Sequence, residues 1–153
     1  MSRSNAAIAP VPSGALEIDS DKARLDLTLV HAFLTRSHWA NGIPFAVMKK
    51  AIDNSLAFGL YRDGRQIGFA RVITDHATFA YFADVFVVEG ERDRGLGRHL
   101  IESIMARAEL QGLRRWLLVT RDAQNLYLRC GFETPPGSYS FLERVDREVY
   151  RRP

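Results

Sequence analysis

The sequence predicts a mixed α/β domain, a single sheet with helices on both faces, and three observations carry that prediction. Residues 78–88 are almost continuously apolar and rich in Val, Phe and Tyr, the pattern of a strand buried on both faces. From Gly95 onward Leu96, Leu100, Ile101, Ile104, Met105 and Ala108 recur at helical spacing, so an amphipathic helix follows that strand. Upstream, β-rich runs at 56–61 and 66–74 flank Arg62-Asp63-Gly64-Arg65, whose Asp-Gly pair is a hairpin signal. Local hairpins followed by a strand–helix–strand unit define an α/β or α+β domain.

Taken in order, residues 1–14 carry little bulky apolar content and read as a flexible N-terminal tail, with a single domain over 15–153. A short strand is expected at 15–18. Asp19, Ser20 and Asp21 are candidate N-caps for a helix over about 22–35, with Leu25, Leu29, Ala32 and Phe33 on one face. A connection containing Trp39, Asn41, Gly42 and Pro44 leads to a second helix over 45–53. The hairpin comes next, then Asp75-His76-Ala77 turns the chain into the 78–88 strand. After the long helix and Gly112, residues 115–120 (RWLLVT) read as another buried strand. Asp122 is the expected cap of a short helix that ends at Gly131, a natural left-handed C-cap. A last strand is expected at 138–143, before a basic tail.

Composition narrows the function classes. A chain of 153 residues forms a core without metals or disulfides. The net charge of +3 is too small to argue for nucleic acid, although arginines cluster at 92–98, 114–115 and 144–152. The arginine-rich tail lacks the aromatic interleaving of a stacking surface. The one cysteine, Cys130, suits a reducing compartment and reads as a small buried hydrophobe. No apolar run is long enough to span a bilayer and no signal-peptide stretch opens the chain, so a cytoplasmic protein is expected. His31, His38, His76 and His99 are scattered, and no spacing resembles a metal site.

The charged turn at 89–94 and the glycines after it carry the first chemical signal. A loop entering a helix presents unpaired N–H groups at the positive end of the helix dipole, a ready phosphate site. Gly95 and Gly97 let an anion approach the backbone, and Arg92, Arg94 and Arg98 add charge there. Nothing matches G-x-x-x-x-G-K-[ST], which excludes a P-loop. The dinucleotide fingerprint fits poorly, because Leu100 stands where its third small residue belongs.

Arg92-Asp93-Arg94-Gly95-Leu96-Gly97 fits the R/Q-x-x-G-x-G/A signature of the GNAT (Gcn5-related) N-acetyltransferases. The segment from Ala123 to Phe132 resembles that family's A-x-x-L-Y-x-x-x-G-F motif, in the right order and spacing. The resemblance covers roughly residues 15–145. It implies a mostly antiparallel central sheet that splays after the central strand. It also implies acetyl-CoA (coenzyme A) as co-substrate, without a metal. Its pyrophosphate would lie on Arg92, Arg94, Gly95, Leu96, Gly97 and Arg98, its pantetheine amides against backbone groups of Val87 and Val88, and Asn125 would add a contact. Members often carry Asn seven residues before the motif tyrosine, where this chain has Thr120.

By the same resemblance Tyr127 lies near the thioester sulfur and hydrogen-bonds or protonates the departing thiolate; packing on the sheet is the alternative. Asp84 is the only charged residue between His76 and Glu89. A carboxylate in a core strand must be paired or face a cavity. It is therefore a candidate base or ammonium anchor, with a structural pair to Arg71 as the alternative. His38, Trp39, Phe45 and Tyr81 are candidate walls of an acceptor pocket. The implied activity is acetyl transfer to a primary amine of a small molecule or peptide by direct attack. The alternative is a non-catalytic coenzyme A-binding sensor or interaction module. The expected partner is that amine, with neither nucleic acid nor membrane, and a homodimer is left open.

Overall fold

Asp63 and Gly64 both take positive φ, 50° and 80°, as the two-residue turn between twisted antiparallel strands requires. The computed structural model describes residues 14–153, so the tail expected at the N-terminus lies outside the described residues except for Gly14. Five strands form one sheet in the order β1 (Leu16–Asp19), β2 (Leu56–Arg62), β3 (Arg65–Thr74), β4 (Phe79–Val87) and β5 (Arg115–Leu117). β1 to β4 pair antiparallel, and β5 joins β4 in parallel. The helices are α1 (Leu27–Leu34), α2 (Phe45–Asp53), α3 (Leu96–Met105) and α4 (Gln124–Arg129).

Two apolar clusters sandwich the sheet. On one face Leu96, Leu100, Ile101 and Ile104 of α3 pack with Phe58, Leu60, Ala70, Val72 and Phe82. On the other, Val30, Leu34, Met48 and Ile52 of α1 and α2 meet Ala57, Phe69 and Phe86. The amphipathic spacing read from Leu96 onward thus produces a helix whose four apolar residues are fully enclosed.

Strand β4 breaks its own alternation. Phe82 belongs to the α3 face and Phe86 to the α1–α2 face, although residues four apart share a face in a regular strand. The register explains it: Phe69 pairs Phe86 while Arg71 pairs Ala83, so β4 spends one more residue than β3 over this stretch. That extra residue is a β-bulge, and Asp84 in it sits at φ 55°.

Three expected elements differ from those observed. The first helix starts at Leu27 rather than 22, after a single 3-10 turn at Lys22–Arg24. Two caps in tandem cause this: Asp21 accepts from Ala23 N–H and Asp26 accepts from Leu29 N–H, so each starts its own turn. The strand expected over 115–120 pairs only as far as Leu117. The strand expected at 138–143 is absent, and that segment runs exposed without pairing.

Ile104→Ala should cost about 2–5 kcal/mol, because it deletes buried methylenes between α3 and the sheet. Urea unfolding measures this, and a loss below about 1 kcal/mol would mean that the site collapses around the cavity.

Candidate active site

The parallel register of β4 and β5 ends at Tyr81↔Leu117, while β4 runs on to Val87. Beyond Tyr81 one edge of β4 therefore lacks a strand. Main-chain directions along β4 then follow by alternation. Val88 N–H donates to Ile67 O of β3 at 2.8 Å, so the N–H and C=O of Val87 point the other way, to the open edge. The Val87 carbonyl there accepts from Arg92 Nε at 3.1 Å. Val88 has no such freedom: its N–H is spent on Ile67 and its carbonyl accepts from Glu91 N–H at 2.9 Å. Of the two valines expected to offer backbone groups, only Val87 presents its N–H to the gap.

The charged turn becomes a 3-10 turn at Glu89–Glu91 and a tight loop. Asp93 and Gly95 both adopt positive φ, 62° and 74°. Gly95 is the N-cap of α3 and brings no side chain to the first N–H groups of the helix, those of Leu96, Gly97 and Arg98. Gly97 has a second reason to be glycine, which spacing did not reveal. A Cβ there would come within 3.3 Å of Leu126 Cδ2, so α4 rests against the first turn of α3. The two motifs are thereby adjacent in space. Arg94 and Arg98 are exposed and pair with Glu91 at 3.5 Å and Glu102 at 2.7 Å. Arg98–Glu102 is a surface pair, weak enough to exchange for a phosphate, and Arg94 is held only at long range by a Glu91 that also bonds Arg62.

Helix α4 positions Tyr127. Its end is a Schellman motif: Gly131, at φ 91°, donates to Leu128 O, and Phe132 N–H donates to Tyr127 O at 3.1 Å. At its start the cap is not Asp122, which is exposed and pairs with Arg121. Instead Thr120 Oγ accepts from Ala123 N–H at 3.0 Å, so Thr120 shapes the entry to the helix. Asn125 is exposed on the first turn. The Tyr127 ring packs edge-on against Phe132, with centroids 5.8 Å apart, beside Phe82 and Trp116. Burial in this aromatic cluster pushes its phenol up to about 12. Cys130, within the same cluster, is likewise raised by burial.

Asp84 is held from two sides. Its Oδ2 lies 2.9 Å from Arg71 Nε, and its Oδ1 accepts from Trp39 Nε1 at 2.9 Å. Arg71 in turn donates to Ser55 Oγ at 3.2 Å. The carboxylate is 12% exposed and Arg71 15%, so the pair sits at a nearly buried margin. Tyr81 feels the same carboxylate: its phenol is raised chiefly by burial and further by the charge of Asp84. His38 stacks edge-on against Trp39 at 5.1 Å, and Phe33 lies 6.2 Å from that indole. Trp39, His38 and Tyr81 therefore gather around Asp84. Phe45 stands apart from them in its contacts, edge-on to His31 at 5.5 Å. Phe33 and Ser55 are members of this site that sequence reasoning missed; Phe33 read as helix core, and nothing marked Ser55. Among the described residues no group of His, Cys, Asp or Glu is placed to hold a metal. None of the described helices is long and apolar enough to cross a membrane.

The candidate site thus joins an open strand edge, a glycine-started helix and a half-buried tyrosine on α4. Comparison with known proteins gives the family. Residues 53–134 match the acetyltransferase (GNAT) domain family, and the chain belongs to that family of acyl-CoA-dependent N-acetyltransferases. It is similar to a candidate GNAT acetyltransferase from Xanthomonas campestris pv. campestris. That crystal structure shares 46% identity, with 89% of this chain and 96% of the other covered and a TM-score of 0.83. A candidate acetyltransferase of Gibberella zeae is 29% identical over 72% of this chain and 74% of its own length. The fold also matches AAC(6')-Iy in complex with the bisubstrate analogue CoA-S-monomethyl-acetylneamine. That likeness has a TM-score of 0.63 at 20% identity and covers 86% and 99% of the two chains.

Asp84→Asn should lower stability by about 3 kcal/mol, because it strands the Arg71 guanidinium at a nearly buried position. Adding Arg71→Met should recover much of the loss in urea unfolding. A single mutant as stable as wild type would show that solvent already screens the pair.

Proposed function

We propose that the protein transfers acetyl from acetyl-CoA to a primary amine of a small molecule or peptide, by direct attack and without a covalent enzyme intermediate. The observation that carries this reading is the open edge of β4, with the Val87 amide on it and α4 with Tyr127 packed against α3 nearby. Such an edge suits a ligand with amides of its own, since it pairs as another strand would. The free N–H groups of Leu96, Gly97 and Arg98, with Arg94 and Arg98 beside them, suit a pyrophosphate. Arg92 fits the group less directly, because its Nε is engaged on Val87 O. Asn125, exposed on α4, is free to add a polar contact.

In this reading the Val87 N–H orients the acyl carbonyl and disperses the negative charge it gains as the amine adds. Tyr127 donates its hydroxyl proton to the leaving sulfur as the C–S bond breaks, and its phenolate recovers, through solvent, the proton that the neutral attacking amine gives up as the amide forms. A phenol held at about 12 keeps its proton throughout the neutral range. It is a weak acid, but a thiolate with an ordinary pKa near ~8.5 needs little help to leave. Asp84 belongs to the acceptor side, where two of its lone-pair positions are used by Arg71 and Trp39 and others remain for an incoming ammonium. That arrangement favours an anchor over a freely moving base. Trp39, His38 and Tyr81 form the adjoining wall, and Phe45 its outer margin.

Acetyl-CoA incubated with a panel of amines, with free thiol followed, tests the reading. Thiol release should depend on the amine, and none should appear in a burst without it; an amine-independent burst would contradict direct attack. Tyr127→Phe should leave acetyl-CoA affinity nearly unchanged and slow the single-turnover rate by roughly 10- to 1,000-fold. An unaltered rate would return Tyr127 to packing. Because its phenol is raised, any alkaline loss of rate due to Tyr127 itself should lie above pH ~10. Arg98→Gln should weaken acetyl-CoA roughly tenfold in calorimetry without changing Tm, since its partner among the described residues is the exposed Glu102. Equal affinity would remove Arg98 from the phosphate site.

A further inference from the structure

The ion pair between Arg71 and Asp84 leaves part of its bonding capacity unused. An arginine and a carboxylate that act only as a strut meet fork to fork, through two parallel hydrogen bonds. Here Arg71 Nε donates to Asp84 Oδ2, while Trp39 Nε1 draws the other oxygen, Oδ1, to itself. Arg71 Nη1 donates to Ser55 Oγ, and Nη2 bonds no described residue and is not closed off from solvent. Each Asp84 oxygen keeps a further lone pair. A free donor and a free acceptor of opposite charge thus stand side by side. Asp84 also holds φ 55° within the β4 bulge, a costly conformation for a residue with a side chain and one that re-aims its carboxylate.

The sheet face next to this pair is uncovered. By alternation Arg71 and Ile73 share a face with Phe69, which α1 and α2 enclose. Ile73 lies beyond that cover at 46% exposure, paired in register with Tyr81, and Trp39 is equally exposed. A groove of about 290 Å³ runs over Ile73 and Leu56 and is lined at one point by Ser55, the residue that holds Arg71 Nη1. The single carboxylate in its lining, Asp53, is already paired with Lys49.

We propose that the acceptor is a free α-amino acid with an apolar side chain. Its ammonium sits on Asp84, its carboxylate on Arg71 and its side chain in the groove over Ile73. The assignment rests on the acetyl-transfer reading and narrows it. Charge balance selects a zwitterion over a plain amine. Arg71 already neutralises Asp84, so a lone ammonium would bring an uncompensated positive charge to a nearly buried place beside a guanidinium. An amino acid brings its own carboxylate one carbon away, and head-to-tail pairing sets every charge against its opposite. The groove is at the small end of the roughly 300–1,000 Å³ spanned by ligand pockets, which suits one residue rather than a chain. In the reaction the α-ammonium first gives one proton to solvent. The neutral nitrogen then forms the C–N bond as the C–S bond of acetyl-CoA breaks, and its second proton replaces the one that the thiolate takes from Tyr127. The products are an N-acetyl amino acid and coenzyme A.

Matched acceptors test this on the unaltered protein: L-leucine, L-leucinamide and isopentylamine, and the corresponding phenylalanine set, each with saturating acetyl-CoA. The free acids should exceed their carboxylate-free partners in kcat/KM by roughly 10- to 150-fold, the worth of a charged hydrogen bond. Amides or amines used as well as the acids would overturn the assignment and leave acetyl transfer standing. Calorimetry of L-leucine on the protein loaded with coenzyme A reads binding without turnover. Binding there with no acetylation of any amine would sink acetyl transfer and keep the pocket; neither binding nor turnover with both acids would overturn the pocket. Arg71→Lys keeps the charge and loses the fork, so it should raise KM for L-leucine roughly tenfold more than KM for isopentylamine. Equal rises for the two would make Arg71 a strut.

Discussion

The departure of β4 from β5 is the constraint on which the candidate site depends. Two strands that stayed paired to the end of β4 would satisfy every main-chain group and leave nothing for a ligand to bond. Here the parallel ladder stops at Tyr81, and β4 continues with one edge bare. Its other edge stays bonded to β3, so the bare groups are held rigidly by a sheet that is otherwise complete. The bulge at Asp84 reinforces this. It turns Phe86 to the α1–α2 face while Val87 joins the α3 face, anchoring the last stretch of β4 on both sides.

Charge is arranged around that edge with unequal commitment. Asp84 and Arg71 are nearly buried, mutually bonded and tied to Trp39 and Ser55, a network whose geometry is costly to break. Arg94 and Arg98 are solvated; Arg98 pairs with exposed Glu102, and Arg94 is a long, second partner of Glu91, which also holds Arg62, so both are free to change partners. The first group shapes a wall, and the second suits a mobile, highly charged ligand. Tyr127 lies between these extremes: buried enough to stay protonated, and fixed by the Gly131 turn behind it.

Much of this was legible in the sequence because it rests on local signals. The Asp-Gly turn, the apolar run of β4, the stripe of α3 and the Gly131 cap each act within a few residues, and each appears where the pattern puts it. The pairing of Asp84 with Arg71 was foreseen as the structural alternative, since a lone carboxylate in a core strand demands a partner. Long-range effects were not legible. The bulge depends on β3 register, the loss of Val88 as a free donor depends on Ile67, and the hydrogen bond from Trp39 to Asp84 joins residues 45 apart. Asp26 outcompetes the earlier caps because two acidic caps in tandem each suffice for one turn. The apolar alternation at 138–143 reads as a strand, yet a strand needs an edge, and no edge of the described chain takes it.

The central claim is that the bare edge of β4 receives the acyl-CoA. Residue-resolved hydrogen exchange with and without saturating acetyl-CoA tests it most directly. By alternation the amides of Val85 and Val87 face the gap, so both should slow markedly on binding, together with Leu96, Gly97 and Arg98 at the start of α3. Val88, already bonded to Ile67, should change little. If acetyl-CoA binds while Val85 and Val87 keep their free exchange rates, the cofactor lies elsewhere and the account of the site is wrong.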